Sequence, residues 1–362
     1  MLSRINLYCR RILGGLRRTI KFHLPRAVLT RKIPTETNRL VVVLTPGYEL
    51  LTGGVMAITV MYQESKAMAE LHRAQVAFCT IPGDAPLLKY AWFKNRNYIL
   101  DLESVLKRCG QLDYLLLHIP EYRVNRVRDW LAASSALLQN VRELHLNVLL
   151  FNIDLIQDQD VKGLEKFGVT TITTAHEAYS NLAQREALGV PLHRLLISKG
   201  PEYYLPVAYE DKEQLLIVSP DPHPFKEQVL GQIAQALPDL KIQIVENLSY
   251  EEYTKLIRRA RWALTFGEGL DGYFAETIFS GGVSFAVFNE RFFTPGFADL
   301  DTVYPSWEVL MDRIVSDIRC LDEPAAYRQS WQRAFDLLSV HLDTNRFREN
   351  LRAFYREEYT FP

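Results

Sequence analysis

The sequence predicts an α/β protein built from two parallel-sheet domains, and three observations predict it. Short apolar runs rich in Val, Ile and Leu recur without polar alternation, as strands covered on both faces require. Helical periods separate them, so the chain reads as a βα series, the pattern of a doubly wound sheet. The series halts at a Gly- and Pro-containing stretch near residue 200 and then restarts, and 362 residues suit two domains of ordinary size.

Taken in order, residues 1–35 carry nine Lys or Arg and no Asp or Glu. Leu2, Ile5, Leu13, Leu16, Ile20 and Leu24 interleave with these charges. A basic amphipathic segment, set at 1–37, can lie on an anionic bilayer surface, stay a solvated basic tail or pack as a helix on the body, and these readings stay open. Neither a run of 18 apolar residues nor a secretory h-region is present, so no spanning helix is predicted.

The first domain, 38–205, opens on "RLVVVLTP" (39–46) and continues through 75–82, 112–120, 146–154, 169–175 and 194–200 as strands. Helices are expected over 56–73, 124–139 and 178–188. The stretch "GPEYYLPVAYEDKE" (200–213) reads as the linker. The second domain, 206–345, has strands over 214–220, 241–247, 261–269 and 283–289. Ser249 and Glu252 predict a capping box for a helix over 249–260, whose apolar face is Tyr253, Leu256, Ile257 and Ala260. From about 306 the chain is helical, ending in a tail over 346–362. Two Rossmann-like halves of this kind direct their strand ends toward a shared cleft, where ligands bind.

One strand end carries most of the candidate chemistry: "LTFGEGLDGYFAETIFSGG", 264–282. Gly267, Gly269 and Gly272 let backbone approach a ligand, and a helix beginning near Tyr273 presents N–H groups to a phosphate. Glu276 is placed in that helix's first turn, where it accepts hydrogen bonds from a vicinal diol. Glu268 accepts from a second sugar across a diphosphate. Gly269, Leu270, Asp271, Gly272 and Tyr273 line the path between them. Acidic residues are also favoured in a first turn by the helix dipole alone.

The pair Glu268–Glu276 before "FSGGVSFAVFN" resembles the Glu-x7-Glu region of GT-B-fold glycosyltransferases, particularly glycosyltransferase family 4. "TPGYELLTGGVMAITVMYQ" and "GVPLHRLLISKGPEYYLP" resemble that family's first glycine loop and the close of its N-terminal domain, so the resemblance spans about 38–345. It implies a GT-B fold, with an acceptor-side first domain and a nucleotide-sugar-binding second. It also implies transfer of a sugar from a nucleotide-diphosphate donor to a hydroxyl, with retention and no essential metal. It places Glu276 on the ribose and Glu268 on the donor sugar. Lys226 in "VSPDPHPFKEQV" matches the family's lysine on the leaving diphosphate; Pro220 stands near the place of its usual arginine, with His223 close by. Gly53 and Gly54 match the glycine loop, and His118 a strand-end histidine facing the cleft. Asn152 stands where many members have histidine. His176 begins a helix and is a further candidate for the cleft.

Other classes lack support. Cys9, Cys79, Cys109 and Cys320 have no paired spacing and read as reduced thiols of a cytoplasmic protein. No G-x-S-x-G, G-x-x-x-x-G-K-[ST] or dinucleotide glycine loop occurs. The formal charge of −1 says nothing about partners; the lack of a basic stripe on the domains argues against nucleic acid, with loose phosphate binding by the N-terminal arm left open. "DQD" (158–160) and "DLD" (299–301) match Asp-x-Asp but sit outside the strand-end context a metal site would need. A cell-envelope polysaccharide or glycolipid acceptor suits an enzyme peripheral on the inner face of a membrane. The alternative is a catalytically weak nucleotide-binding or scaffold protein on the same fold; an epimerase acting on donor alone is a third reading.

Overall fold

The computed structural model describes residues 24–49, 52–197 and 199–362. The expected membrane contact through residues 1–35 lies outside the described residues up to residue 23. The chain divides into two compact units. The first takes residues up to Thr174, Leu182–His193 and Leu351–Pro362; the second takes Ala175–Asn181 and Arg194–Asn350. The stretch read as a linker belongs to the second unit and holds two 3-10 turns, Pro201–Tyr203 and Tyr209–Asp211. The chain instead passes between units near residues 174, 181, 193 and 350.

The first sheet contains β1 (Arg39–Thr45), β2 (Gln75–Thr80), β3 (Leu100–Asp101), β4 (Leu112–Pro120), β5 (Val141–Leu150), β6 (Val169–Thr174) and β7 (Leu192–Arg194). Its order is β3-β2-β1-β4-β5-β6-β7, and β1 pairs in parallel with both β2 and β4. Leu40 to Leu44 are fully buried, so the unbroken apolar run reports a strand covered on both faces. Helices α1 (Leu24–Thr30), α2 (Gly53–Ala67), α3 (Ala69–His72), α4 (Leu102–Cys109), α5 (Val124–Ala133), α6 (Ser135–Leu138) and α7 (Leu182–Leu188) complete the unit. The expected strand over 194–200 is displaced to Leu192–Arg194. Leu196 has φ +56, a left-handed conformation no strand accommodates; its neighbour Leu195 is buried all the same. The C-terminal tail does not stay helical: after Tyr355 it turns, and Phe361 exchanges two 2.9 Å backbone bonds with Leu192.

The second sheet contains β8 (Glu213–Val218), β9 (Lys241–Ile244), β10 (Ala260–Leu264), β11 (Val283–Val287) and β12 (Val303–Tyr304), in the order β12-β11-β10-β8-β9. Its registered pairs are parallel. Helices α8 (Lys226–Ala236), α9 (Tyr250–Arg259), α10 (Gly272–Phe279), α11 (Trp307–Leu321), α12 (Pro324–His341) and α13 (Thr344–Tyr355) follow. Its core joins Leu216, Val218, Trp262, Leu264 and Phe285 of the strands to Val229, Ile233, Leu310 and Ile314 of the helices. β3 and β12 each span two residues, too few for any periodicity to announce them.

The capping box of α9 is present. The Ser249 hydroxyl accepts from the Glu252 amide at 3.3 Å, and the Glu252 carboxylate accepts from the Ser249 amide at 2.8 Å. Replacing Ser249 by Ala removes one orphan-donor partner and is expected to cost about 1 kcal/mol, read as a shift in denaturant midpoint at unchanged slope.

Candidate functional site

Chain order in the second sheet reverses between β8 and β10. The loops leaving those two strands therefore bound a switch-point crevice, the place where open α/β sheets bind ligands. Within that unit, the sequence-predicted residues Lys226, His223, Glu268, Gly269, Leu270, Asp271, Gly272, Tyr273 and Glu276 fall on these loops and the helices they lead into.

On the β10 side, Gly269 has φ +90, and a Cβ there would lie 2.5 Å from the Phe293 ring. Conformation and space both demand glycine. Leu270 is buried beneath the loop, while Glu268 is partly exposed upon it. Asp271 is the N-cap of α10: one carboxylate oxygen accepts from the Phe274 amide at 3.0 Å and the other from the Thr265 hydroxyl. This corrects the placement of Glu276. It sits in the second turn of α10, so Asp271, and not Glu276, complements the helix dipole. A Cβ on Gly272 would lie 3.6 Å from Glu276 Oε1, so the carboxylate lies alongside the bare first residue of the helix.

Three residues with no motif to announce them surround Glu276. The Tyr250 hydroxyl, 3.5 Å away, donates to Glu276 Oε2, and Tyr204 also hydrogen-bonds the carboxylate. The Tyr204 and Tyr250 hydroxyls are 3.4 Å apart. Lys199 donates to the Tyr250 hydroxyl at 3.3 Å and places its ammonium 4.5 Å from that ring's centre. Burial pushes the Glu276 carboxyl up to about 7, against the pull of Lys199 and of the two tyrosine hydroxyls; Asp271 adds to the rise. Burial likewise pushes Asp271 up to about 6, with Asp221 contributing. Tyr253 and Tyr273, which also border these carboxylates, are raised by burial first and by the acids second. Glu276 is thus a carboxyl poised near neutral pH between its charged and neutral forms.

This sets a pH dependence whose sign is fixed. A carboxyl raised in the fold keeps a proton that the unfolded chain has already released, so between the two values the native state binds more protons. Stability then falls as pH rises through that window. Glu276 by itself is expected to contribute a loss of stability from about pH 5 to about pH 8, set against the buried histidines, whose lowered pKa values favour the fold as pH rises. Glu276→Gln should remove the falling contribution, so that its stability rises more, or falls less, with pH over this window than wild type's in calorimetry; a slope equal to wild type's would show that Glu276 is ionised throughout.

On the β8 side, Lys226 is the first residue of α8, and its ammonium donates to the Ser219 carbonyl at 2.6 Å and the Asp221 carbonyl at 2.9 Å. Two of its three protons thus close the loop. Burial lowers its pKa, against Asp221 and Glu246. His223 lies 4.0 Å from the Trp307 ring centre and 5.9 Å from Phe266, and Phe266 stacks on Trp307. Its Nδ1 accepts from the Phe225 amide at 3.3 Å, and burial lowers its pKa. It is a neutral aromatic partner in this stack, not a cationic replacement for arginine. Bare Gly267 joins the two loops: a Cβ there would be 2.8 Å from Asp221 Oδ2 and 3.3 Å from Asp271 Oδ2.

The first-unit candidates fare differently. His118 does not face an open crevice. It is fully buried in β4, its Nδ1 accepts from Asn147 at 2.9 Å, and its ring packs against Phe354 and Tyr355. It belongs to a buried polar ladder that includes His145, Asn147, Thr171 and Thr173. Desolvation, reinforced by His145 and His72, drives its pKa well down. Polar residues buried on one sheet face must bond one another, and that requirement accounts for the histidine. Gly53 and Gly54 are the first residues of α2, behind the N-cap Thr52. Among the described residues, a Cβ on Gly53 meets nothing within 4 Å and one on Gly54 meets only Thr52 Oγ1 at 3.9 Å. Asn152 accepts from the Asp154 amide at 2.8 Å, and its own amide donates to Glu121. His176, in the second unit, lies 5.4 Å from Phe292 with its pKa lowered to about 4 by burial.

Among the described residues, no group of three or more His, Cys, Asp or Glu could hold a metal ion. Asp160 instead accepts from the Gly163 amide and pairs with Arg128 at 2.8 Å, and Asp301 pairs with Arg333. No described helix is long and apolar enough to cross a membrane.

No protein-family model and no curated protein matches the chain. Solved structures do. An alpha-glucosyltransferase in complex with UDP-glucose and DNA containing an abasic site matches with a TM-score of 0.58 at 10% identity, over 88% of this chain and 99% of that one. HepE of Anabaena, in complex with UDP and glucose, matches with a TM-score of 0.58 at 9% identity, over 88% and 100%. Sucrose-phosphate synthase from Thermosynechococcus elongatus matches with a TM-score of 0.57 at 11% identity, over 88% and 99%. The chain therefore has the α/β fold of GT-B glycosyltransferase structures, with a seven-stranded and a five-stranded parallel sheet.

Proposed function

We propose that the chain is a glycosyltransferase of the family 4 kind, moving a sugar from a nucleotide-diphosphate donor to a hydroxyl acceptor with retention. The observation that carries this reading is the Glu276 nest at the switch point of the second sheet, in a fold shared with enzymes solved with UDP or UDP-glucose. Ionised Glu276 accepts from both ribose hydroxyls, and Glu268 accepts from hydroxyls of the donor sugar. The bare backbone at Gly267 and Gly269 leaves room for the diphosphate, since the Tyr273 and Phe274 amides at the start of α10 are held by Asp271. Lys226 neutralises the charge that develops on the leaving group, exchanging a backbone carbonyl for a phosphate oxygen. The acceptor oxygen bonds to the anomeric carbon as the carbon–oxygen bond to the diphosphate breaks. The diphosphate leaves with the electron pair, and the acceptor's proton passes to it. The first unit is the acceptor side, with the open N-terminus of α2 at Gly53 and Gly54 as its contact. A cytoplasmic enzyme on the inner face of a membrane, serving cell-envelope polysaccharide or glycolipid synthesis, fits this assignment.

One observation favours a second reading, a nucleotide-binding scaffold of low activity. Lys226 is engaged by two carbonyls, and Pro220 stands in place of a second cation. Thermal melting against a panel of nucleotide-diphosphate sugars, headed by UDP-glucose, separates the cases when followed by donor turnover with and without acceptor alcohols. A transferase is stabilised in proportion to occupancy and turns donor over. Stabilisation without turnover in any mixture identifies the scaffold, and no stabilisation by any donor refutes both.

A further inference from the structure

The loop between β2 and β3 is absorbed by none of the chemistry above. Its neck is closed by the Ile99 amide donating to the Leu88 carbonyl at 2.8 Å, which makes 88–99 a compact Ω-type loop. Tyr90 anchors it: the ring is buried, and its hydroxyl meets Thr45 Oγ1 at 2.6 Å and donates to the Pro46 carbonyl at 2.9 Å. Asn95 staples the interior by donating to the Tyr90 and Phe93 carbonyls, both at 2.9 Å, and Tyr90 stacks on Phe93. An ordered loop of this kind holds its outer residues in place. Those residues are Lys89, Lys94 and Arg96, all exposed, with Trp92 and Phe93 partly exposed and Tyr98 44% exposed. No acidic residue occurs from 85 to 100. The nearest upstream acid, Asp84, is held by Arg126 at 2.9 Å. An open hollow of about 470 Å³ lies among Lys89, Tyr90, Phe93, Lys94, Asn95 and Arg96.

The N-terminal segment arrives at the same edge of the sheet. α1 is pinned by Arg26, buried, which donates to Thr80 Oγ1 at 2.7 Å and to the carbonyl of Leu100, just past the loop's neck. The outer side of α1 shows Leu24 and Val28, 55% and 56% exposed. The residues before it, 1–23, contain six Lys or Arg and no acid. The basic, aromatic loop and the exposed apolar side of α1 thus meet at edge strand β3, and the sequence leading into α1 is basic. Cations that reach lipid phosphate, with Trp and Tyr rings at headgroup depth, suit a bilayer interface better than a protein surface.

We propose that the 88–99 loop is a docking surface for an anionic phospholipid bilayer, with Lys89, Lys94 and Arg96 on lipid phosphates and Trp92, Phe93 and Tyr98 in the headgroup layer. It acts beside the N-terminal segment and does not depend on the transferase reading.

The test uses the full chain and sedimentation with vesicles of phosphatidylglycerol and phosphatidylcholine, against phosphatidylcholine alone. The chain should partition onto the anionic vesicles and be released by salt. The triple substitution Lys89→Gln, Lys94→Gln, Arg96→Gln should weaken partitioning about 100-fold, at roughly five-fold per charge, with unchanged melting. Trp emission should shift to the blue on anionic vesicles, and Trp92→Phe should remove most of that shift. Wild-type partitioning by the triple variant would assign all binding to residues 1–23 and overturn the proposal. So would equal binding to phosphatidylcholine, or competition by soluble glycerophosphate at the concentration of accessible lipid.

Discussion

Glu276→Ala should reduce donor turnover by at least about 100-fold, the scale on which a single preorganised electrostatic partner counts in catalysis, while leaving the fold intact. The second half of that expectation separates a functional carboxylate from a structural one. Glu276 is held above the ordinary carboxylate range by burial, so the fold gains nothing from its charge, and removing it should leave melting near pH 7 unchanged or raised. A carboxylate kept for stability would lower the melting temperature instead. Glu276→Gln sharpens the contrast, because it retains the shape and the contact with Tyr250 but donates where a diol also donates. Kinetics with a nucleotide-diphosphate sugar, paired with calorimetry of the same variants, decides the matter. Full activity in Glu276→Ala would sink the assignment of this nest to the donor.

Trp262→Ala should produce the largest loss of stability of any single truncation in the second unit. The indole is fully buried in β10, 5.3 Å from the Tyr327 ring centre and 5.9 Å from Phe285. Its neighbours are anchored and cannot collapse into the space. The Tyr327 hydroxyl donates toward the carbonyls of Arg261 at 2.9 Å and Gly281 at 3.0 Å. The expected cost is about 3–5 kcal/mol, a fall in melting temperature of roughly 6–20 °C. Trp262→Phe should cost distinctly less, since it keeps a ring among rings and removes an indole N–H that meets no acceptor among the described residues. Because β10 leads straight into the loop of Glu268, the alanine variant should lose donor binding at temperatures well below those at which wild type does. Equal melting of the two variants would show that the cavity relaxes.

What the sequence determined on its own is local or periodic. The unbroken, valine-rich run at 39–46 suited a strand covered on both faces, because a half-exposed one alternates, and Arg39–Thr45 is that strand. Ser249 and Glu252 wrote their capping box in four residues. Gly269 stands where φ is +90, a backbone need that leaves its mark in residue type. The order of elements at 264–279 was legible too, since strand, glycine loop and helix follow in turn.

Only the tertiary structure decided the rest. His118 reads as a strand-end ligand in sequence and is a buried rung in a polar ladder, because Asn147 on the adjacent strand and Tyr355 from the far end of the chain surround it. Glu276 moved from the first helical turn to the second because Asp271 claimed the cap. Lys199, Tyr204 and Tyr250 gather around that glutamate from positions tens of residues distant, joined by packing that no spacing rule records. Periodicity and capping depend on neighbours a few residues away, so one sequence window contains their cause. Burial, and the proton affinity it imposes on a carboxylate, depends on which distant segments exclude water, and that is settled only when the chain has closed on itself.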